Sequence, residues 1–314
     1  MTSDSAKYNE WKRSTLNRLT QKYHAKAVAL FERNLRLHEH AIQRAFERKY
    51  KTIDIHDTML SQELFALYKR HLHDVVWVGI SDGLREVTPE KKLSTWQEWP
   101  IEVPVEDTIV SLSDTSNRAS AFQRAFAKIY KRSRLRMAKN SKRQTKRYLR
   151  NITDGFRLLT KDYFEDETSE TPVSMIKYLM KDVLGKTQAE TERVFRTETT
   201  KYFNEARVSY FKSHTDVDFV QLYAVTDGRV SAICEDRHLY VIPIALAGQK
   251  KYSPPFHPNC RTIQSPLDTD LKSNQTRVRE NLGAEFGTVK SNTSGLEFKG
   301  VRPEPQHQLP KGWA

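Results

Sequence analysis

Thirteen Lys or Arg residues and no Asp or Glu lie between residues 116 and 153 of this 314-residue chain, and this stretch constrains the fold most. It also lacks Gly and Pro, so nothing in it breaks a helix. Phe122, Phe126, Ile129 and Tyr130 form an apolar stripe at its start, and cations then occupy every side of the predicted helix. Because a helix rises about 1.5 Å per residue, this rod can follow several phosphates along a nucleic-acid duplex.

A polyanionic partner explains this charge pattern, since like charges along a helix repel one another unless a partner neutralises them. The formal net charge of +13 agrees with this interpretation. We expect nucleic acid first and an acidic protein surface second, while a solvated helix without a ligand is the remaining alternative. Nothing in the stretch resembles a base-reading module, so contacts to the phosphate backbone are expected. The candidate contact residues are Arg124, Lys128, Lys131, Arg132, Arg134, Arg136, Lys139, Lys142, Arg143, Lys146, Arg147 and Arg150.

The N-terminal part of the chain is patterned mainly for helices. Hydrophobic residues make up only 38% of the sequence, which favours extended helices around a modest core. Apolar residues recur at helical spacing from residue 8 to about 51 and from 57 to about 80. Residues 85–113 contain three prolines together with Trp96 and Trp99, which predicts an ordered crossing or a partner-binding loop.

Two further helices are predicted before the chain changes character. Thr171 and Pro172 are typical of a helix start, and Gly185 is typical of a helix stop. Thr187 and Glu190 form a capping-box pattern, which begins another helix that should extend to about residue 213.

The C-terminal part is predicted to contain strands. Residues 218–225 alternate as in a half-buried strand, Asp227 and Gly228 supply a turn, and residues 238–244 indicate a second strand. Beyond residue 267 the pattern weakens, and the polar, proline-containing end predicts a disordered tail.

Together these patterns predict a mainly α protein with a small C-terminal α+β module. Long amphipathic helices should be followed by a short β-rich unit with a candidate zinc staple and then by the disordered tail. The expected divisions are a helical region with the Trp/Pro loop over 1–113, a basic helical region over 114–186, the module over 187–267 and the tail over 268–314. No stretch is apolar for long enough to span a bilayer, and no secretory signal follows Met1, so we expect a cytosolic product.

Both cysteines of the chain lie close to a histidine. Cys234 and His238 have the spacing C-x3-H, and His257 and Cys260 have the spacing H-x2-C. Thiolate and imidazole are the ligands that tetrahedral zinc prefers, so these four residues predict a structural zinc site. The alternative is that Cys234 is a small buried hydrophobe and His257 a hydrogen-bonded loop histidine.

Catalytic functions are less well supported by the same residues. No nucleophile signature surrounds either cysteine. At the metal site, Asp227 or Asp236 is an alternative to one of the four ligands. A metal-dependent nuclease with His257 as its base and Asn259 nearby is the enzymatic alternative, although no helical His or Asn set completes such a site. We therefore expect a binding protein and not an enzyme.

Three runs of sequence carry a family resemblance: RTETTKYFNEARVSYFK at 196–212, LYAVTDGRVSAIC at 222–234 and PPFHPNCRT at 254–262. In this order they resemble the phage head-morphogenesis family, the Mu F-like minor head proteins. The matched residues are Arg196, Thr197, Glu198, Asn204, Ala206, Arg207, Asp227, Arg229, Cys234, His257, Pro258, Asn259, Cys260 and Arg261.

The resemblance implies a minor virion protein that associates with the portal protein during procapsid assembly and affects the fate of DNA at ejection. It implies double-stranded DNA and other head proteins as partners, a place inside the head near the portal, and the host cytoplasm during assembly. A scaffold that binds only protein is the remaining alternative.

One departure from the family pattern concerns the metal ligands. Many members carry Cys-x-x-Cys where this chain has Cys234 followed by Glu235, Asp236 and Arg237, so His238 is expected to replace the second thiol. Asp227 and Arg229 are expected to pair and to fix the end of the first strand, and Arg261 or Arg207 is expected to pair with carboxylates nearby. Asn259 belongs to the same set of structural residues.

Overall fold

The computed structural model describes residues 3–57, 59–87, 116–165, 172–213 and 217–309. Most of the predicted Trp/Pro loop, from residue 88 onward, lies outside these residues. Four long helices dominate the described part of the chain: α1 (Ser3–Glu47), α2 (Leu60–Val87), α3 (Ser116–Glu165) and α4 (Pro172–Phe211). The mainly α fold with a small C-terminal β module is therefore confirmed.

Two helices continue past the ends that the sequence predicts, near residue 80 and at Gly185. Helix α2 continues past Gly83, where an added Cβ would lie 3.1 Å from the Tyr210 ring, so the glycine permits close packing of α2 on α4. Helix α4 runs through Gly185, and Thr187 donates its hydroxyl to the Val183 carbonyl at 2.7 Å instead of capping a new helix. Glycine costs a helix only about 1 kcal/mol, which the packing of the flanking turns offsets.

The chain divides into two compact units. The first contains Met1–Leu16, Leu72–Lys131 and Arg196–Ala314, and the second contains Asn17–His71 and Arg132–Phe195.

Aromatic side chains fill the core of the second unit. Tyr68 stacks on Phe195 with ring centroids 4.9 Å apart, and His71 meets the same ring edge-on. Tyr148 of α3 packs on Phe31 of α1 and donates its hydroxyl to the Phe31 carbonyl at 3.0 Å. Tyrosine suits these buried positions because its hydroxyl finds a partner while its ring fills the core.

A buried charged group joins three helices in the first unit. Asp82 of α2 lies 3.1 Å from the Nε of Arg207 on α4 and 3.6 Å from the Nζ of Lys12 on α1. These side chains are at most 1% exposed, so each charge depends on its partners.

A three-stranded antiparallel sheet in the order β2-β1-β3 forms the centre of the C-terminal module. Strands β1 (Phe219–Tyr223) and β2 (Val241–Pro243) lie within the two predicted strands, and a short helix α5 (Ala232–Asp236) connects them. Strand β3 (Ile263–Leu267) was not predicted, because Pro266 interrupts its pattern and suits only an edge strand.

The prediction of a disordered tail is wrong for residues 268–309. This segment forms helix α6 (Lys272–Asn281), a 3-10 turn (Ala284–Phe286) and a hairpin of β4 (Thr288–Lys290) with β5 (Glu297–Lys299). The sequence pattern did not indicate this order because the few apolar residues of the segment are isolated among polar ones. They complete one core of Phe219, Val241, Leu267, Val278, Leu282 and Phe298.

Asp218, beside β1, anchors the hairpin through hydrogen bonds. Its carboxylate accepts from the Ser291 hydroxyl at 2.6 Å, from the Thr293 amide and hydroxyl, and from the Asn292 side chain. Burial opposes ionisation of this carboxyl, but these hydrogen bonds outweigh burial and hold the pKa of Asp218 below its usual value.

We expect Phe298→Ala to lower the free energy of unfolding by about 3–5 kcal/mol, since it removes a buried ring from the shared core. The control Val301→Ala changes a side chain that is 55% exposed, against 1% for Phe298, and should change stability by less than about 0.5 kcal/mol. Chemical denaturation followed by circular dichroism measures both values. Equal stability of the two variants would contradict the ordered tail.

Candidate functional site

Helix α4 holds the His257 to Gln264 segment through side chains one helical turn apart. The Thr200 hydroxyl donates to the Cys260 carbonyl at 2.6 Å, and the Thr197 hydroxyl accepts from the Asn259 amide at 3.1 Å. Asn204 donates to the Thr262 carbonyl and accepts from the Gln264 amide at 2.8 Å. Positions 197, 200 and 204 share one helix face and belong to the first run of the resemblance. We call the hydrogen bonds from these three side chains to the loop the ladder.

The loop is also fixed at Asn259 and Arg261. Asn259 has a φ of 61°, a left-handed conformation that asparagine tolerates better than most residues. Arg261 forms a two-pronged ion pair with Asp227 at 2.6 and 2.7 Å, which holds the pKa of that carboxyl well below its usual range. Arg229 lies 3.8 Å from Asp227 but is 83% exposed, so the expected pair is weak and Arg261 is the main partner.

The ladder brings His257 and Cys260 to Cys234, which lies on the short helix α5. The Sγ atoms of the two cysteines are 3.6 Å apart, and the Nε2 of His257 is 2.9 Å from the Cys234 Sγ. Both thiols are free and buried. The three residues form a group that can hold a metal ion, with all ligand atoms within 4.8 Å of one another.

His257 is oriented toward the thiols by its own backbone. Its Nδ1 lies 2.6 Å from the Pro258 carbonyl, and since a carbonyl only accepts, Nδ1 carries the proton. The other nitrogen, Nε2, faces Cys234 and the hydroxyl of Ser231 at 2.8 Å. A carbonyl behind a histidine is the usual partner that orients a metal ligand.

Charge favours metal binding at Cys234. A hydrogen bond from Cys260, assisted by His257 and Ser231 and opposed by burial, lowers the pKa of Cys234 to about 4. The hydrogen bond to Cys234 in turn raises the pKa of His257, while burial raises that of Cys260. The site therefore favours the thiolate form of Cys234, which is the form that binds metals.

The separations fit a tetrahedral site that is slightly contracted. Zinc bond lengths of about 2.3 Å to sulfur and 2.0–2.1 Å to nitrogen place two thiolates roughly 3.8 Å apart and a thiolate and an imidazole roughly 3.6 Å apart. The observed 3.6 and 2.9 Å need only a small opening to accept an ion. A cysteine nucleophile would use Cys234 and His257 but would leave the position of Cys260 unexplained.

The fourth predicted ligand, His238, does not join the group. Its Nδ1 accepts a hydrogen bond from the Ala224 amide at 3.2 Å, which ties its ring to the end of β1. Leu239, with a φ of 65°, turns the chain between α5 and β2 and thus directs His238 toward the sheet. Sequence reasoning missed Ser231 instead, although the spacing Ser231-x-x-Cys234 was a usable signal.

All twelve cations proposed from the sequence are exposed on α3. The expectation that cations occupy every side after Tyr130 is wrong, however. One face of α3 is buried at helical spacing and consists of Met137, Ser141, Tyr148 and Ile152. A polar residue such as Ser141 on this face made it hard to recognise in the sequence. One of the twelve, Arg147, pairs with Glu190 of α4.

The nuclease alternative would use His257 as a base, and the Nε2 of His257 faces Cys234 and Ser231. The backbone amide of Asn259 donates to Thr197, which fixes the loop and does not involve the Asn259 side chain. No family model, curated protein or solved structure matches the chain.

Within the described ranges, no helix combines the length and apolar character that a membrane span requires.

We expect Asn204→Ala to lower the free energy of unfolding by about 2–4 kcal/mol, because it leaves the buried Thr262 carbonyl and Gln264 amide without their partner. Ser209→Ala, on the same helix at a half-buried position, is the control and should cost less than about 0.5 kcal/mol. Urea titrations of both variants give the comparison. A loss no larger than that of the control would show that the ladder contributes little.

Proposed function

We propose that this chain is a non-enzymatic minor head protein of a phage that binds double-stranded DNA without sequence specificity, associates with the portal, and influences packaging or ejection. The observation that carries the DNA-binding part is the exposed row of cations on α3. The virion setting, the portal and the other head proteins rest on the resemblance of the motifs in α4 and the C-terminal module.

The cations nearest the middle of the exposed face form a narrow row, which we call the outer row: Arg132, Lys139, Arg143, Lys146 and Arg150. At about 100° per residue, these five positions fall within roughly 40° of one line along the helix. The buried side chains of Met137 and Tyr148 lie on the opposite side, so packing of the second unit leaves the row facing solvent.

The outer row matches the dimensions of a duplex backbone. The 18 helical steps from Arg132 to Arg150 span about 27 Å, roughly the length of eight phosphate steps along one strand. Long, flexible Lys and Arg side chains reach phosphates without reading bases, which accounts for affinity without sequence specificity. The lack of Asp and Glu from 116 to 153 keeps the field along this helix positive.

Zinc is the metal that best suits the group of Cys234, His257 and Cys260. Two thiolates and an imidazole select zinc over oxygen-preferring cations. Its role is structural: the ion would join α5 to the loop that α4 holds, and so keep the module rigid.

The outer row can be tested with a matched pair of triple variants. We expect Lys139→Gln, Arg143→Gln and Lys146→Gln together to weaken duplex binding and to reduce the slope of log affinity against log salt by roughly 2–3, since each lost phosphate contact removes about 0.9. The control replaces Lys272, Lys290 and Lys299, which are exposed on the C-terminal module, with Gln. Fluorescence anisotropy on a labelled duplex at several salt concentrations measures both.

Equal losses in the two triple variants would show that binding follows net charge and not the outer row. If wild-type protein binds no DNA but sediments with a portal protein, the scaffold alternative replaces the DNA-binding proposal. Divalent-dependent cleavage of plasmid DNA that disappears in His257→Ala would favour the nuclease.

The metal proposal predicts about one zinc per purified chain by elemental analysis. A strong chelator should lower the melting temperature of the wild type, because loss of the ion removes its contribution to folding. Cys260→Ser should melt lower than the wild type and should no longer respond to the chelator. A metal-free wild type that ignores the chelator would contradict the site.

A further inference from the structure

We propose that the Ser231 hydroxyl oxygen is the fourth ligand of the metal held by Cys234, His257 and Cys260. This inference rests on the proposed metal binding and names the residue that completes it. Neither the resemblance nor the spacing of Cys and His residues points to Ser231.

The position of the Ser231 oxygen supports this role. It lies 2.8 Å from the Nε2 of His257, the same atom that lies 2.9 Å from the Cys234 Sγ. Three potential ligand atoms therefore converge on one small volume beside the Cys260 sulfur. Tetrahedral coordination needs four donors, and only three of the four predicted ligands, Cys234, His257 and Cys260, come together.

The hydrogen bonds of Ser231 leave a lone pair for the ion. The hydroxyl oxygen accepts from the Cys234 amide at 3.3 Å, and a hydroxyl has two lone pairs. While no metal is bound, the Nε2 of His257 is a hydrogen-bond partner of the Ser231 hydroxyl. An ion that takes the Nε2 lone pair removes this partner, and the second oxygen lone pair can then turn to the ion.

The local chain geometry also suits coordination by residues 231 and 234. Ser231 and Cys234 have the i, i+3 spacing that Cys-x-x-Cys uses to bring two side chains to one metal. In this chain the second ligand of the pair therefore precedes Cys234, whereas in Cys-x-x-Cys members it follows. His238, the substitute expected from the resemblance, is held at the end of β1 by the Ala224 amide.

Charge balance is compatible with a hydroxyl in this buried place. A divalent ion with two thiolates is neutral, so a neutral hydroxyl and a neutral imidazole complete the site without a further buried charge. Cys234 is 4% exposed and Cys260 fully buried, so little water surrounds the sulfur atoms.

The wild-type full chain loaded with Co²⁺ provides the first test, because the visible spectrum of Co²⁺ reports its ligands. We expect a tetrahedral spectrum that added azide does not change, since Ser231 fills the fourth position. In Ser231→Ala, water should take that position and azide should shift the bands. A wild-type spectrum that shifts with azide would overturn the role of Ser231 alone, whereas no Co²⁺ uptake at all would overturn the metal site itself.

Ser231→Cys provides a second test that does not depend on azide. A third thiolate at the metal should raise the thiolate-to-cobalt charge-transfer absorption about 1.5-fold, the ratio of three sulfur ligands to two. Ser209→Cys is the control, since it adds a thiol on α4 about 13 Å along the helix from Thr200 and should leave the absorption unchanged. Absorption in Ser231→Cys equal to that of the control would place the fourth ligand elsewhere and overturn the proposal.

Discussion

The hydrogen bonds from Thr197, Thr200 and Asn204 to the loop that carries His257 and Cys260 are the interaction on which the candidate site depends. A loop rich in proline has few backbone hydrogen bonds of its own, so a regular helix must supply its partners. Helix α4 does so with three side chains on one face. Its next residue on that face, Arg207, forms the buried ion pair with Asp82, which ties the ladder to α2.

The residues that position the loop are different from the residues that would bind the ion. The ladder determines where the loop lies, and Arg261 with Asp227 determines how it turns. The metal ligands then need only be brought together, and a bound ion would join segments that are distant in sequence. Such a link would make the module more rigid.

The charge of the chain is organised by packing in a similar way. Helix α3 buries Met137, Ser141, Tyr148 and Ile152 and thereby turns the outer row toward solvent. Small polar residues can be buried in this helix because their hydroxyls find carbonyls within it, as Ser141 does with Ala138. Repulsion along the row is tolerated because the aromatic contacts of the opposite face hold the helix in place.

The sequence by itself determined the long helices, the cationic helix α3, the strands β1 and β2, and the pairing of both cysteines with His257, because these features depend on local periodicity and residue type. Only the tertiary structure decided that Gly185 lies inside a helix, that the tail is ordered, and that Ser231 and not His238 lies at the thiols. Each of these outcomes depends on contacts between segments distant in sequence, as in the packing of Phe298 on Phe219. Local patterns carry no information about such contacts.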